Sequence, residues 1–160
     1  RENFIDRIFV LRRYRDMLRS GQTLGNLVTF HTRHKLQLMA HSPELYRAMG
    51  QLVAKGKELP KEPLFRSYHE HLMQATRMKA TPPKHRNVLQ HIMGYFKNDL
   101  HPDEKQELMD LISQYARGII PLIVPVTLLN HYVNKYDEFY LQDQTYLHPH
   151  PVELKLRNHA

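Results

Sequence analysis

The chain has 160 residues, of which 41% are hydrophobic, and it carries a formal net charge of +7 with no cysteine. This is long enough for one domain with a real core. The missing cysteine excludes disulfides, zinc–thiolate sites and iron–sulfur ligation by the chain itself. No run approaches the ~18 apolar residues of a membrane span, because the longest, Ile119 to Val126, is interrupted by Pro121 and Pro125. No signal-peptide pattern opens the sequence. A soluble, cytoplasmic protein without membrane contact is the expectation.

Charge is unevenly distributed. Residues 1–97 hold 18 Lys/Arg against 7 Asp/Glu, whereas residues 98–160 hold 5 against 9. Such asymmetry is the electrostatic footprint of a polyanion-binding surface, with nucleic acid the first candidate.

Punctuation along the chain predicts a series of helices. Asn3 is placed to cap a first helix ending near Ser20-Gly21, with Phe4, Ile5, Ile8 and Phe9 as its apolar face. Thr23 caps the second, which runs through Phe30-His-Thr-Arg-His-Lys35. At 100° per residue, Leu24, Leu27, Val28, His31, Lys35 and Leu38 share one face of it. Polar groups among leucines are costly without partners, so His31 and Lys35 must either find them in a core or meet a ligand. Ser42-Pro43 ends that helix and starts a third, with serine as N-cap and proline in the first turn. The third fades at Lys55-Gly56.

A connector from Lys57 to Pro63 leads to a helix with Phe65, Tyr68 and Leu72. Thr81-Pro82-Pro83 breaks the chain, and the next helix spans Lys84 to Asn98. His101-Pro102-Asp103-Glu104 opens a periodic segment that stops at Gly118. A very apolar helix then begins at Pro121 or Pro125 and reaches Val133; its low polarity predicts a central position. From Asp137 onward a short helical piece precedes an extended His148-Pro-His-Pro151 segment, and the tail from Tyr140 to Asn158 is read as a structural wrap against the helices. No two-residue alternation bounded by hairpin turns occurs. The fold class is therefore all-α: one helical domain over residues 1–160, with about seven or eight helices and an extended Pro/His-containing C-terminal tail.

Twelve histidines invite a metal, but no His-Glu-x-x-His is present and no carboxylate lies within the Phe30–Lys35 stretch. No metal site is assigned. Of the four serines, Ser20, Ser42, Ser67 and Ser113, none stands in a nucleophile elbow. No phosphate-cradling glycine loop is visible, and no catalytic residue is assigned. Nucleic-acid binding has more behind it. Arg12, Arg15 and Arg19 form a basic stripe, followed by Arg33 and Lys35 on the second helix, Lys84 and Arg86 beyond the proline break, and Lys97 beside Tyr95-Phe96. Cations of this kind neutralise phosphates, while histidine and tyrosine stack on or hydrogen-bond to unpaired bases. Tyr95 and Phe96 also suit core packing, and a solvated face would equally explain the arginine stripe.

Several segments together resemble the YbgA-like bacterial family, catalogued as a domain of unknown function. They are Arg1-Glu-Asn-Phe-Ile-Asp-Arg7, Phe30–Lys35, Leu38-Met-Ala-His-Ser-Pro43 with Tyr46, Asn87–His91, Gly94–Lys97, Gly118 with Pro121-Leu122, and Tyr146 to Asn158. Members of that family occur alone or fused behind a TudS-type desulfidase, whose iron–sulfur cluster removes sulfur from thiolated pyrimidines. The resemblance implies an accessory domain that holds transfer RNA or another RNA for a desulfidase in cis or in trans, and Arg1 in place of methionine suits a domain excised from such a fusion. The cluster would belong to the partner, leaving this chain without a cofactor. On this reading Arg12, Arg15, Arg19, Arg33, Lys35, Lys84, Arg86 and Lys97 contact RNA, and His31, His34, His41, His91 and Tyr95 line a cleft. The alternatives are an enzyme with a histidine-based acid–base or metal site, and a protein-interaction module.

Overall fold

A computed structural model of the protein describes residues 2–149. Among them are eight α-helices, one 3-10 turn and no strand. They fall into two compact units, one made of residues 3–80 with 144–149, the other of residues 81–143.

The first unit holds α1 (Glu2–Ser20), α2 (Leu24–His41), α3 (Pro43–Ala54) and α4 (Lys61–Ala75). Its breaks follow the predicted chemistry. Thr23 accepts a hydrogen bond from the Asn26 amide (3.2 Å) at the start of α2. Ser42 ends α2 through its amide on the Leu38 carbonyl (2.8 Å) and opens α3 by accepting from the Leu45 amide (3.2 Å). One serine thus satisfies orphan groups of two helices. Helix α4 starts at Lys61, earlier than the connector suggested, with Pro63 in its first turn, where proline's missing N–H costs nothing. Helices α2, α3 and α4 pack on one another. Their core, Leu27, Phe30, Leu38, Met49, Leu64, Tyr68 and Leu72, also takes Val10 and Tyr14 from α1. Each such side chain contributes roughly 1.5–3 kcal/mol on burial.

Two expectations for α1 are corrected. Asn3 lies inside the helix, and its side chain accepts the Ala80 amide (2.8 Å) instead of capping its own turn. The buried residues of α1 are Asp6, Val10 and Tyr14, while Phe4 and Ile8 are 66% and 47% exposed. Of the face assigned to the core, Phe4 and Ile8 therefore look outward, while Ile5 and Phe9 are half-buried.

Residues 144–149 close the first unit as an irregular strap on α2. Gln144 donates to the Thr32 carbonyl (2.8 Å), the Thr145 amide to the Arg33 carbonyl (2.9 Å), and the Thr145 hydroxyl to Gln37 Oε1 (2.8 Å). Tyr146 and Leu147 are buried, and Arg13 Nη2 donates to the Pro149 carbonyl (2.8 Å). With the strap on one side and α3 and α4 on the other, every residue from Leu36 to His41 is buried. The strap agrees with the wrap expected of the tail up to Pro149. His150 and the remaining tail lie outside the described residues.

The second unit holds α5 (Pro82–Met93), the 3-10 turn Gly94–Phe96, α6 (Pro102–Ala116), α7 (Ile123–Lys135) and α8 (Phe139–Gln142). Within it α7 packs against α5, α6 and α8, burying Pro125, Val126, Leu129, Tyr132 and Val133. This is the central place its apolar sequence predicts. The end of α6 is a Schellman turn: Ile119 N–H bonds to the Gln114 carbonyl (3.0 Å) and Gly118 N–H to the Tyr115 carbonyl (2.9 Å), with Gly118 at φ +73°.

Candidate nucleic-acid interface

The Phe30–Lys35 stretch lies on α2, where the first unit is richest in rings. His31 is 9% exposed. Its Nδ1 is hydrogen-bonded to the Tyr68 hydroxyl (3.1 Å), and its ring lies parallel to that of Tyr46, with centroids 5.8 Å apart. Gly50 faces its other nitrogen, since a Cβ there would stand 3.5 Å from Nε2. Burial first, and the nearby Lys35 ammonium second, push the His31 pKa down to about 4. The ring is neutral at physiological pH. Tyr68 is pushed well above the usual tyrosine value by its own burial and by Tyr14, so this is a neutral phenol–imidazole pair.

His34 is 3% exposed and stacks on Phe30 with ring centroids 4.0 Å apart. Its Nδ1–H donates to the Phe30 carbonyl (2.8 Å), so Nδ1 carries the proton of the neutral ring. Burial lowers its pKa to about 3; the Phe30 carbonyl opposes this, and the Arg13 and Arg33 charges reinforce it. His41 is buried too and donates from Nδ1 to the Met78 carbonyl (2.7 Å). The histidines that made this stretch conspicuous are thus packed and hydrogen-bonded side chains of the first unit. Each turns toward a different partner. Among the described residues no three His, Cys, Asp or Glu side chains converge as a metal set would.

The cations are arranged differently. Arg12, Arg15 and Arg19 are exposed along α1, and Arg33 is exposed on α2, while Lys35 is half-buried. Arg19 touches Asp16 at 3.8 Å, with both side chains largely in water, a contact that contributes little. Arg13, one residue from the stripe, turns inward to hold the strap, and burial lowers its pKa against the opposing influence of Asp6. Counted by unit, the charge asymmetry seen along the sequence persists. Residues 3–80 hold 14 Lys/Arg against 6 Asp/Glu, a net of +8, and residues 81–143 hold 6 against 8, a net of −2.

The remaining candidates belong to the second unit. Lys84 is half-buried on α5, Arg86 is exposed on the same helix, and Lys97 is exposed just past the 3-10 turn. His91 is exposed and meets Tyr95 edge-on at 5.8 Å; Tyr95 in turn lies parallel to Tyr140, with centroids 5.4 Å apart. Phe96 is core, one of the two roles its sequence suited. An open groove of about 400 Å³ between α6 and α7 is lined by Leu111, Ile123, Val124 and Leu128, with Glu107 and His131 also lining it. None of the residues singled out from the sequence lines that groove.

Sequence reasoning missed Tyr46, Gly50 and Tyr68 as the surroundings of His31, and Arg13 and Thr145 as the holders of the strap. Tyr68 had a signal, since it shares an apolar face with Phe65 and Leu72. The others carry no local pattern.

No helix among the described residues is long and apolar enough to cross a membrane. No solved structure matches the chain. A relative in Escherichia coli (strain K12), described as the uncharacterized protein YbgA, is 33% identical over 153 residues, covering 95% of this chain and 90% of that protein. The family model for "Protein of unknown function (DUF1722)" matches residues 35–151, and the chain belongs to that family.

Proposed function

We propose that this protein is a cytoplasmic RNA-binding module that holds transfer RNA for a TudS-type desulfidase acting in cis or in trans, with the iron–sulfur chemistry in that partner. The observation that carries the RNA reading is the separation of charge between the two units, with exposed Arg12, Arg15, Arg19 and Arg33 on the unit of net +8. A polyanion gains most from such a surface, because each neutralised phosphate releases counterions. The desulfidase part of the proposal rests on the family resemblance. Lys35, Lys84, Arg86 and Lys97 are further phosphate contacts on this reading, and His91 with Tyr95 offers rings to a base. His31, His34 and His41 contribute by keeping α2 in place, since their rings are packed inward.

Transfer RNA binding measured across a salt series tests the proposal. Affinity should fall steeply with salt, and the Arg12→Ala/Arg15→Ala/Arg19→Ala variant should flatten the log–log slope by about 2, at ~0.7 per lost phosphate contact. Salt-insensitive binding, or no binding at low salt, sinks it.

A further inference from the structure

The outward face of α1 carries more than cations. At 100° per residue, Phe4, Ile8, Arg12, Arg15 and Arg19 fall in a band about 80° wide, opposite the buried Asp6, Val10 and Tyr14. All five are exposed, and Phe4, at 66%, lies in the first turn. The band runs about 22 Å along the helix at 1.5 Å per residue, apolar at its start and basic for the rest. Arg12 and Arg15 have no ion-pair partner among the described residues.

We infer that this face binds an unpaired RNA strand in preference to a duplex, with the three arginines on successive phosphates and Phe4 stacked on a base. The inference rests on the RNA-binding reading above and names the class of RNA. A duplex presents phosphates and ribose but hides the faces of its bases, so it engages the arginines and leaves Phe4 in water. An unpaired strand offers both. Base stacking on an aromatic ring is sequence-tolerant, and the arginines supply the charge complementarity that orients the strand. Ile8, between the ring and the cations, gives an apolar contact for the sugar. An exposed phenylalanine on the same helix face as a row of arginines fits this ligand better than it fits phosphate alone.

The test uses the full chain and a short labelled RNA, either single-stranded or annealed to its complement, at low salt. The wild type should bind the single strand more tightly. Phe4→Ala should weaken single-strand binding about tenfold, the order of one stacked base, leave duplex binding unchanged, and be rescued by Phe4→Trp. Because Phe4 is exposed, thermal melts of these variants should match the wild type. Tighter duplex binding, or an equal loss on both RNAs, overturns the inference. If Phe4→Ala leaves single-strand binding intact while the triple arginine variant abolishes it, this inference falls and the RNA-binding reading stands. If the wild type binds neither RNA, both fall. An amphipathic basic helix also suits an anionic membrane. Phe4-dependent binding to phosphatidylserine vesicles, with no Phe4 effect on RNA, therefore overturns it as well.

Discussion

His31 and His34 remain neutral inside the first unit because neither is placed to keep a proton cheaply, and that gives the protein a defined pH response. Their folded pKa values of about 4 and about 3 lie below the ordinary 6.5. Between those limits the unfolded chain binds more protons than the folded one, so stability rises with pH. The contribution is fully present above pH ~6.5 and is lost as pH falls through 4 toward 3, on the order of a few kcal/mol for each ring. Denaturant midpoints between pH 7.5 and 3.5 measure the loss. Imidazole NMR signals of His31 or His34 titrating near 6.5 in the folded protein would contradict the assignment. The hydroxyl of Tyr68 is the second residue-scale prediction. Tyr68→Phe strips the His31 Nδ1 of its partner at 3.1 Å and should cost about 1–3 kcal/mol, the penalty of an unsatisfied buried polar atom. His31→Leu in the same background should recover part of that. The sequence raised the right question about His31, that it needed a partner or a ligand, but periodicity on one helix cannot say which residue of another helix answers it.

At the scale of elements, the ends were more legible than the faces. Thr23, Ser42 and Gly118 act through local hydrogen bonds or a local left-handed turn, and all three do what their residue types announce. Gly118→Ala should therefore destabilise by about 1 kcal/mol, because a Cβ at φ +73° is strained. Gly56 is costlier for a different reason. A Cβ there would come within 3.0 Å of the Val53 carbonyl and clash with the Leu24 side chain, so Gly56→Ala should lose about 1–3 kcal/mol through overpacking. Thermal melts of the two variants measure both effects. Glu104 links two elements of the second unit. It accepts the His101 amide at the start of α6 (3.0 Å) as well as the Lys135 ammonium and the Tyr136 hydroxyl at the end of α7. Lys135 first, then Tyr136 and the His101 amide, lower its pKa to about 2. Its contribution is present above the usual 4.5 and fades as pH falls toward 2, and Glu104→Gln should remove that acid sensitivity from the melting curve of the protein. The faces of α1 were misread because the helix has two apolar stripes. Phe4 and Ile8 define one, Val10 and Tyr14 the other. Tyr14 wins the core because Phe30 and Tyr68 lie 5.3 and 6.0 Å from its ring, a long-range fit that no window on α1 contains.

For the molecule as a whole, the chain does not run through its two units in simple succession. After passing through the second unit it returns to the first at residues 144–149, and Thr145 sets the register there. Thr145→Val keeps the shape but deprives Gln37 of its hydroxyl partner; a loss of about 1–3 kcal/mol is expected. Amide exchange should show the effect first at Tyr146 and Leu147. Helix class, the number of helices and the apolar character of α7 were all legible in the sequence, because each depends on residues close together along the chain. The docking of 144–149 against 32–37 depends on residues more than a hundred positions apart.

The sequence by itself determined an all-helical chain, most of its helix ends, its family resemblance and the concentration of positive charge before residue 98. These follow from local rules: 3.6-residue periodicity, capping chemistry and simple counting. Only the tertiary structure decided that His31, His34 and His41 are buried, that Arg13 turns inward while Arg12 and Arg15 stay in water, and that Phe4 joins the arginines on the outer face of α1. The physical reason is competition. Several faces of one helix can be apolar enough to bury, and the face that does so is chosen by the partner that fits it, not by the helix alone.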